Sequence, residues 1–166
     1  SLFSMPLSLF GTNQKPNIIL ILTDDQGWAD VSGALDPSQP EGYCEIFHTP
    51  NILRLAKEGM NFTDAYSPAP ICTPTRRSIQ FGMTPARQHG TEFLGEFDPH
   101  GKWSIAQALK RADPEYRCAH FGKWGEVITG TWGNRESQLP GSPDSLGYDL
   151  HDGMNGNREG TFYFRR

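Results

Sequence analysis

NIILILTDDQGWAD, residues 17–30, decides how the rest of the chain is read. Ile18 to Leu22 are consecutive aliphatic residues with no polar alternation, which fits a strand covered on both faces, as in a parallel sheet. Asp24 and Asp25 follow at once. In open α/β sheets ligands gather beyond the carboxyl ends of the strands, so this pair stands where a site is expected. Taken alone, two aspartates after an apolar run favour a turn that merely breaks the strand.

Composition narrows the function classes. At 166 residues the chain fits one domain of ordinary size with a real core. A net charge of -4 leaves no basic footprint for nucleic acid. The 18 Gly and 13 Pro suggest many loops. No run of about 20 apolar residues exists, so no transmembrane segment is expected. The opening SLFSMPLSLFG is short and apolar, and residues 1–14 are read as a leader remnant or mobile terminus ahead of a domain over 15–166. A leader of that kind agrees with a periplasmic or secreted protein. Cys44, Cys72 and Cys118 form no Cys-x-x-Cys pair, too few for a disulfide scaffold or a zinc ribbon. Their odd number suits a chemically committed Cys72, and equally suits three reduced, partly buried thiols.

Regular structure alternates with loops along the chain. Residues 32–47 read as a long polar loop. A helix is predicted after Thr49, with Pro50 in the first turn, an apolar face of Ile52, Leu53, Leu55 and Ala56, and Gly59 at its end. A short strand is expected over 60–65. A second helix is predicted over 74–81, with Thr73 as cap and Gly82 just beyond it. A third runs from about Ser104 to Ala112, and 116–121 is a strand that delivers Gly122 and Lys123 at its carboxyl end. The tail from Gly130 is loop-like. This order of elements predicts a layered α/β fold.

The second helix opens on ICTPTRRSIQFG, residues 71–82. A helix start with Arg76 and Arg77 nearby favours an anion. Asp24 and Asp25 would repel such an anion unless a hard divalent cation stood between them, so carboxylates plus anion pocket imply a metal. Lys123 adds a point charge from another strand end. A phosphate-cradling P-loop needs glycine where Arg117 stands, and a cysteine phosphatase needs arginine where Ser78 stands. Cys72-x-Pro74-x-Arg76 is the spacing that fits.

These segments resemble the type I sulfatases, the formylglycine-dependent arylsulfatase family within the alkaline-phosphatase-like superfamily. NIILILTDDQGWAD resembles the opening strand with its paired aspartates, and TPNILRLAKEGMNFTDAYSPAPICTPTR the helix and strand leading into the modification motif. FGKW resembles the Gly-Lys-Trp-His segment, and SLGYDLHDGMNGN the downstream Gly-Tyr/Phe-Asp stretch. The resemblance implies an incomplete, alkaline-phosphatase-like α/β/α sandwich with a mostly parallel central sheet. It also implies conversion of Cys72 to formylglycine by a formylglycine-generating or sulfatase-maturating enzyme. The hydrated aldehyde attacks the sulfur of a sulfated small molecule or glycan, and its second hydroxyl lets the intermediate collapse and expel sulfate. A divalent cation, usually Ca2+, is implied at Asp24, Asp25 and modified residue 72. Arg76 is implied to orient the nucleophile, and Lys123 to hold sulfate or the bridging oxygen.

Some positions depart from the family pattern. Gly125 stands where histidine usually follows Gly-Lys-Trp, and Phe81 replaces a threonine before Gly82. Family members run more than twice as far and bring an Asp-Asn pair, a histidine and a lysine from their second half. The chain is therefore expected to be the amino-terminal portion of a sulfatase domain, inactive in isolation. Two alternatives remain: a phosphonate or phosphodiester hydrolase of the same superfamily, and a degenerate, non-catalytic binding module. Arg77, His89, His120 and the four tryptophans are read as surface or packing residues.

Overall fold

Serine and proline at the first turns, and glycine at the ends, punctuate a chain whose helices are short and whose strands are shorter. The computed structural model describes residues 15–92, 97–124 and 142–152. The expected leader at 1–14 and the Gly125 position lie outside them. The chain divides into two compact units, one reaching to Asn61 and one starting at Phe62.

The first unit contains helix α1, Pro50–Glu58, with proline in its first turn and Gly59 at its end, as its sequence predicts. Thr49 stands at the cap position but makes no capping bond. Its hydroxyl serves the loop instead, accepting from the Ser32 N–H at 2.8 Å, while the Thr49 N–H donates to the Ser32 Oγ at 3.0 Å. The apolar face is formed but not covered: no residue of α1 is buried, and Leu55 is 67 % exposed.

The run at 17–23 corrects the first expectation. It forms no strand, and Ile19 is 85 % exposed. A two-sided apolar strand needs a hydrogen-bonding neighbour on each edge and a layer on each face, and the described residues offer the run no such partner strand. The expected strand over 60–65 is also absent.

The second unit is built from α2 (Cys72–Phe81), α3 (Pro85–Gln88), α4 (Ile105–Ala112), β1 (Ala119–His120) and β2 (Leu150–His151). Strand β1 pairs with β2 in parallel, Ala119 opposite Leu150 and His120 opposite His151. The carboxyl end of the 116–121 run is thus a strand as expected, though only two residues long. β2 lies in the tail that the sequence reads as loop, because Gly and Asn density conceals a pair of ladder residues. Helix α3 was not foreseen either: four residues give too little periodicity to detect. Gly82 ends α2 in the left-handed region at φ 60°, which glycine adopts without steric cost.

Phe81, Phe97, Trp124 and Leu146 form the core, with Met83 and Tyr148 against it. Phe81 therefore stacks in the core, its ring 4.8 Å from Phe97. Ser104 connects two parts of this unit. Its hydroxyl accepts from the Gln107 N–H at 3.1 Å, the Gln107 side chain accepts from the Ser104 N–H at 3.0 Å, and the same hydroxyl donates to the Leu146 carbonyl. Ser104→Ala removes a cap and leaves a buried carbonyl unsatisfied. We expect a loss of about 1–3 kcal/mol in urea unfolding, with an unchanged m-value.

Asp149, in the Gly-Tyr-Asp stretch, is a second junction. One carboxylate oxygen accepts from the Cys118 N–H at 2.8 Å, and the other meets Lys110 Nζ at 2.7 Å. The Asp149 N–H donates back to the Cys118 carbonyl at 2.7 Å. A single side chain thereby fastens α4 to the start of the parallel pair. The hydrogen bonds from Lys110 and from the Cys118 N–H hold its carboxyl below the usual value.

Candidate functional site

Helix α2 starts two residues earlier than its sequence suggests, at Cys72, with Ile71 as its cap residue and no side chain capping it. Thr73 is consequently not the cap but a buried residue of the first turn. Pro74 fits beside it because the first turn of a helix needs no proline N–H. Cys72 therefore occupies the first helical position, half-buried and a free thiol, on the end of the helix that carries the partial positive charge.

Arg76 follows one turn along. Its Nη1 donates to the Lys123 carbonyl at 2.6 Å, a contact between residues 47 positions apart. The Cys-x-Pro-x-Arg motif and the Gly-Lys-Trp segment are thus in contact within one unit, through the Lys123 backbone. Lys123 is half-buried, and the preceding turn is fixed by the Gly122 N–H, which donates to an Asp152 carboxylate oxygen at 2.6 Å.

Arg77 belongs elsewhere. The anion argument grouped it with Arg76, yet it is 0 % exposed, with its guanidinium 5.5 Å from the Phe97 ring centroid. Successive helix positions point about 100° apart, so neighbours in sequence need not share a role. His89 is exposed and ends α3 in the left-handed region.

Asp24 and Asp25 lie in the first unit, both exposed, at a bend where Asp25 has a positive φ of 57°. Aspartate is among the residues that tolerate this region. The following turn is closed by Asp30, whose carboxylate accepts from the Gly27 N–H at 2.7 Å. Trp28 remains 64 % exposed with its indole edge against Gly42. Among the described residues no group of three or more His, Cys, Asp or Glu side chains converges to hold a metal ion. Two carboxylates supply the hard oxygen donors that Ca2+ takes, but not the ~6–8 ligands it requires. The described residues therefore fit a metal in donor chemistry and fall short in number.

His120, read from the sequence as a surface or packing residue, packs beside the site. Its ring sits at the end of β1, 4.6 Å from Trp124 and 5.7 Å from Tyr148. Burial pushes its pKa below the usual value and Asp152 opposes this, while Arg76 and His151 add to the lowering. A lone histidine before a Phe-Gly-Lys turn carries no periodic signal that could have singled it out.

The sequence profile of the family described as Sulfatase matches residues 16–160. N-acetylgalactosamine-6-sulfatase of Mus musculus is 40 % identical over 136 residues, which cover 74 % of this chain and 24 % of the relative. Arylsulfatase G of Homo sapiens is 31 % identical over 145 residues, covering 85 % and 24 %. A protein named Sulfatase from Formosa agariphila is 34 % identical over 139 residues, covering 71 % and 24 %. The chain thus spans about a quarter of the length of the curated relatives it matches.

Proposed function

We propose, from the premise that this chain belongs to the sulfatase family, that it is part of a sulfuric ester hydrolase cleaving sulfate monoesters through a formylglycine made from Cys72. The observation that supports this site assignment best is the bond from Arg76 to the Lys123 carbonyl, which ties the cysteine-bearing helix to the Gly-Lys-Trp turn. In the proposed mechanism residue 72 presents a geminal hydroxyl from the electropositive end of α2, and one hydroxyl attacks sulfur while the ester oxygen leaves. The second hydroxyl then loses its proton, the carbon–oxygen bond to sulfate breaks, and the aldehyde returns. Arg76, held by its carbonyl partner, orients the nucleophile. Lys123 holds a sulfate oxygen or the bridging oxygen, where negative charge develops.

Asp24, Asp25 and modified residue 72 are proposed ligands of a divalent cation, Ca2+ by family resemblance, with further oxygen ligands required from elsewhere. Such a cation supplies Lewis-acid stabilisation of the sulfate oxygens and of the ionised nucleophile. Residues 15–166 are read as the amino-terminal part of an alkaline-phosphatase-like α/β/α domain. Its proposed setting is periplasmic or secreted. Among the described residues, no helix is long and apolar enough to cross a membrane. Its proposed partners are a maturating enzyme and a sulfated small molecule or glycan.

The test is mass spectrometry of the Cys72 peptide from the intact protein produced with a maturating enzyme, together with product analysis on sulfate and phosphate esters. Conversion lowers the peptide mass by about 18 Da. A persistent thiol under those conditions, or release of phosphate in preference to sulfate, refutes the reading.

A further inference from the structure

We propose that His120 is a positioning residue of this site: its imidazole, packed edge-on against Trp124 and Tyr148, holds the Lys123–Trp124 backbone where the Lys123 carbonyl receives Arg76. The proposal concerns the geometry of the turn, and its kinetic consequence rests on the sulfatase reading above.

Three rings form a closed set. His120 and Trp124 meet at 4.6 Å and 86°, His120 and Tyr148 at 5.7 Å and 78°, Trp124 and Tyr148 at 5.6 Å and 87°. Each pair is in the edge-to-face arrangement that aromatic quadrupoles favour. The set touches three segments: His120 comes from β1, Trp124 from the turn after it, and Tyr148 from the stretch before β2. Tyr148 also donates its hydroxyl to the Gln80 side chain of α2 at 2.9 Å, so the rings are tied to the helix that carries Arg76. Trp124 is 3 % exposed, and its peptide bond to Lys123 includes the carbonyl that Arg76 reaches. If the indole moves, that acceptor moves with it.

The arrangement suits the neutral imidazole. Among the described residues, the charged groups facing the ring are Arg76 from α2, His151 from β2 and Asp152 just beyond β2. Protonation places a second cation near the Arg76 guanidinium inside a partly desolvated set of rings, where among the described residues Asp152 offsets it. The folded-state pKa is lowered, so the imidazole stays neutral and the brace intact through the ordinary histidine value of ~6.5, and both are lost as pH falls through the lower folded value.

The chain has two Lys–Trp peptide bonds, 102–103 and 123–124, so carbonyl-labelled lysine with amide-labelled tryptophan isolates two signals, the first an internal control. In the intact protein the Lys123 carbonyl resonance is expected to move with the His120 titration, to become pH-independent in His120→Phe, and in His120→Ala to approach a solvent-bonded carbonyl. With an aryl sulfate as substrate, His120→Ala lowers kcat on the order of 10²-fold with KM little changed. His120→Phe retains kcat at neutral pH and loses the acid limb. A Lys123 carbonyl signal that ignores the His120 titration overturns the proposal, whatever the kinetics. Wild-type protein that hydrolyses no sulfate ester refutes the functional reading instead and leaves the carbonyl test decisive for the brace.

Discussion

Cys72→Ala in the intact, matured protein is expected to reduce sulfate-ester turnover by on the order of 10⁴–10⁶-fold, the loss seen when a covalent nucleophile is deleted. The fold should not contribute to this loss. Cys72 is half-buried at the first helical position, where alanine is tolerated, and the helix start depends on Ile71 and Pro74 rather than on the thiol. The unfolding midpoint should therefore remain within experimental error of wild type while activity disappears. Arg76→Lys makes a graded companion. It keeps the charge but loses the planar fork that reaches the Lys123 carbonyl, so part of the orienting effect goes while the anion's field remains. Activity persisting in Cys72→Ala would remove residue 72 from the chemistry.

Arg77→Ala, one residue away, is expected to do the opposite: unfold the second unit without acting on the chemical step directly. Its side chain is fully enclosed and lies over Phe97, a core residue. Gly90 leaves it just enough room, since a Cβ there would come within 2.9 Å of Nη1. Truncation opens a cavity, strips the Phe97 ring of its cationic neighbour, and unpairs whatever the guanidinium bonds. A cost of about 3–5 kcal/mol follows, large against the ~5–15 kcal/mol that holds a typical domain. Denaturant unfolding followed by tryptophan fluorescence measures it, because Trp124 sits in the same core. A change under 1 kcal/mol would mean that the site collapses around the smaller residue, and would contradict the enclosed geometry.

The contrast between these adjacent arginines shows what the sequence could reveal. Spacing placed Cys72, Pro74 and Arg76 at a helix start and named Lys123 as a companion, and Arg76 reaches the backbone carbonyl of Lys123. Spacing could not assign Arg77 to the core, since burial depends on residues such as Phe97 that are distant in sequence. Helices with their own caps and stops were legible: α1 and α4 lie within a residue or two of expectation. Elements that exist only through long-range pairing were not. β2 is two residues wide and is defined by Cys118 and Ala119 rather than by its own composition. The run 17–23 errs in the other direction: its aliphatic content promises a strand, but strand structure is a property of a pair, and the described residues do not provide the second member. Asp24 and Asp25 follow this run at an exposed bend and not at the end of a strand, and their role as ligands is a proposal.

Asp149 carries one more implication. Because its lowered pKa keeps it ionised, the contacts it makes are present above the unfolded carboxylate value and are released only as pH falls through the folded one. Acid acts on both junctions in the same sense, charging the imidazole of the set at β1 and neutralising this clamp. An acid titration of the second unit should accordingly loosen the surroundings of the arginine-bearing helix through the one group and release α4 from the paired strands through the other.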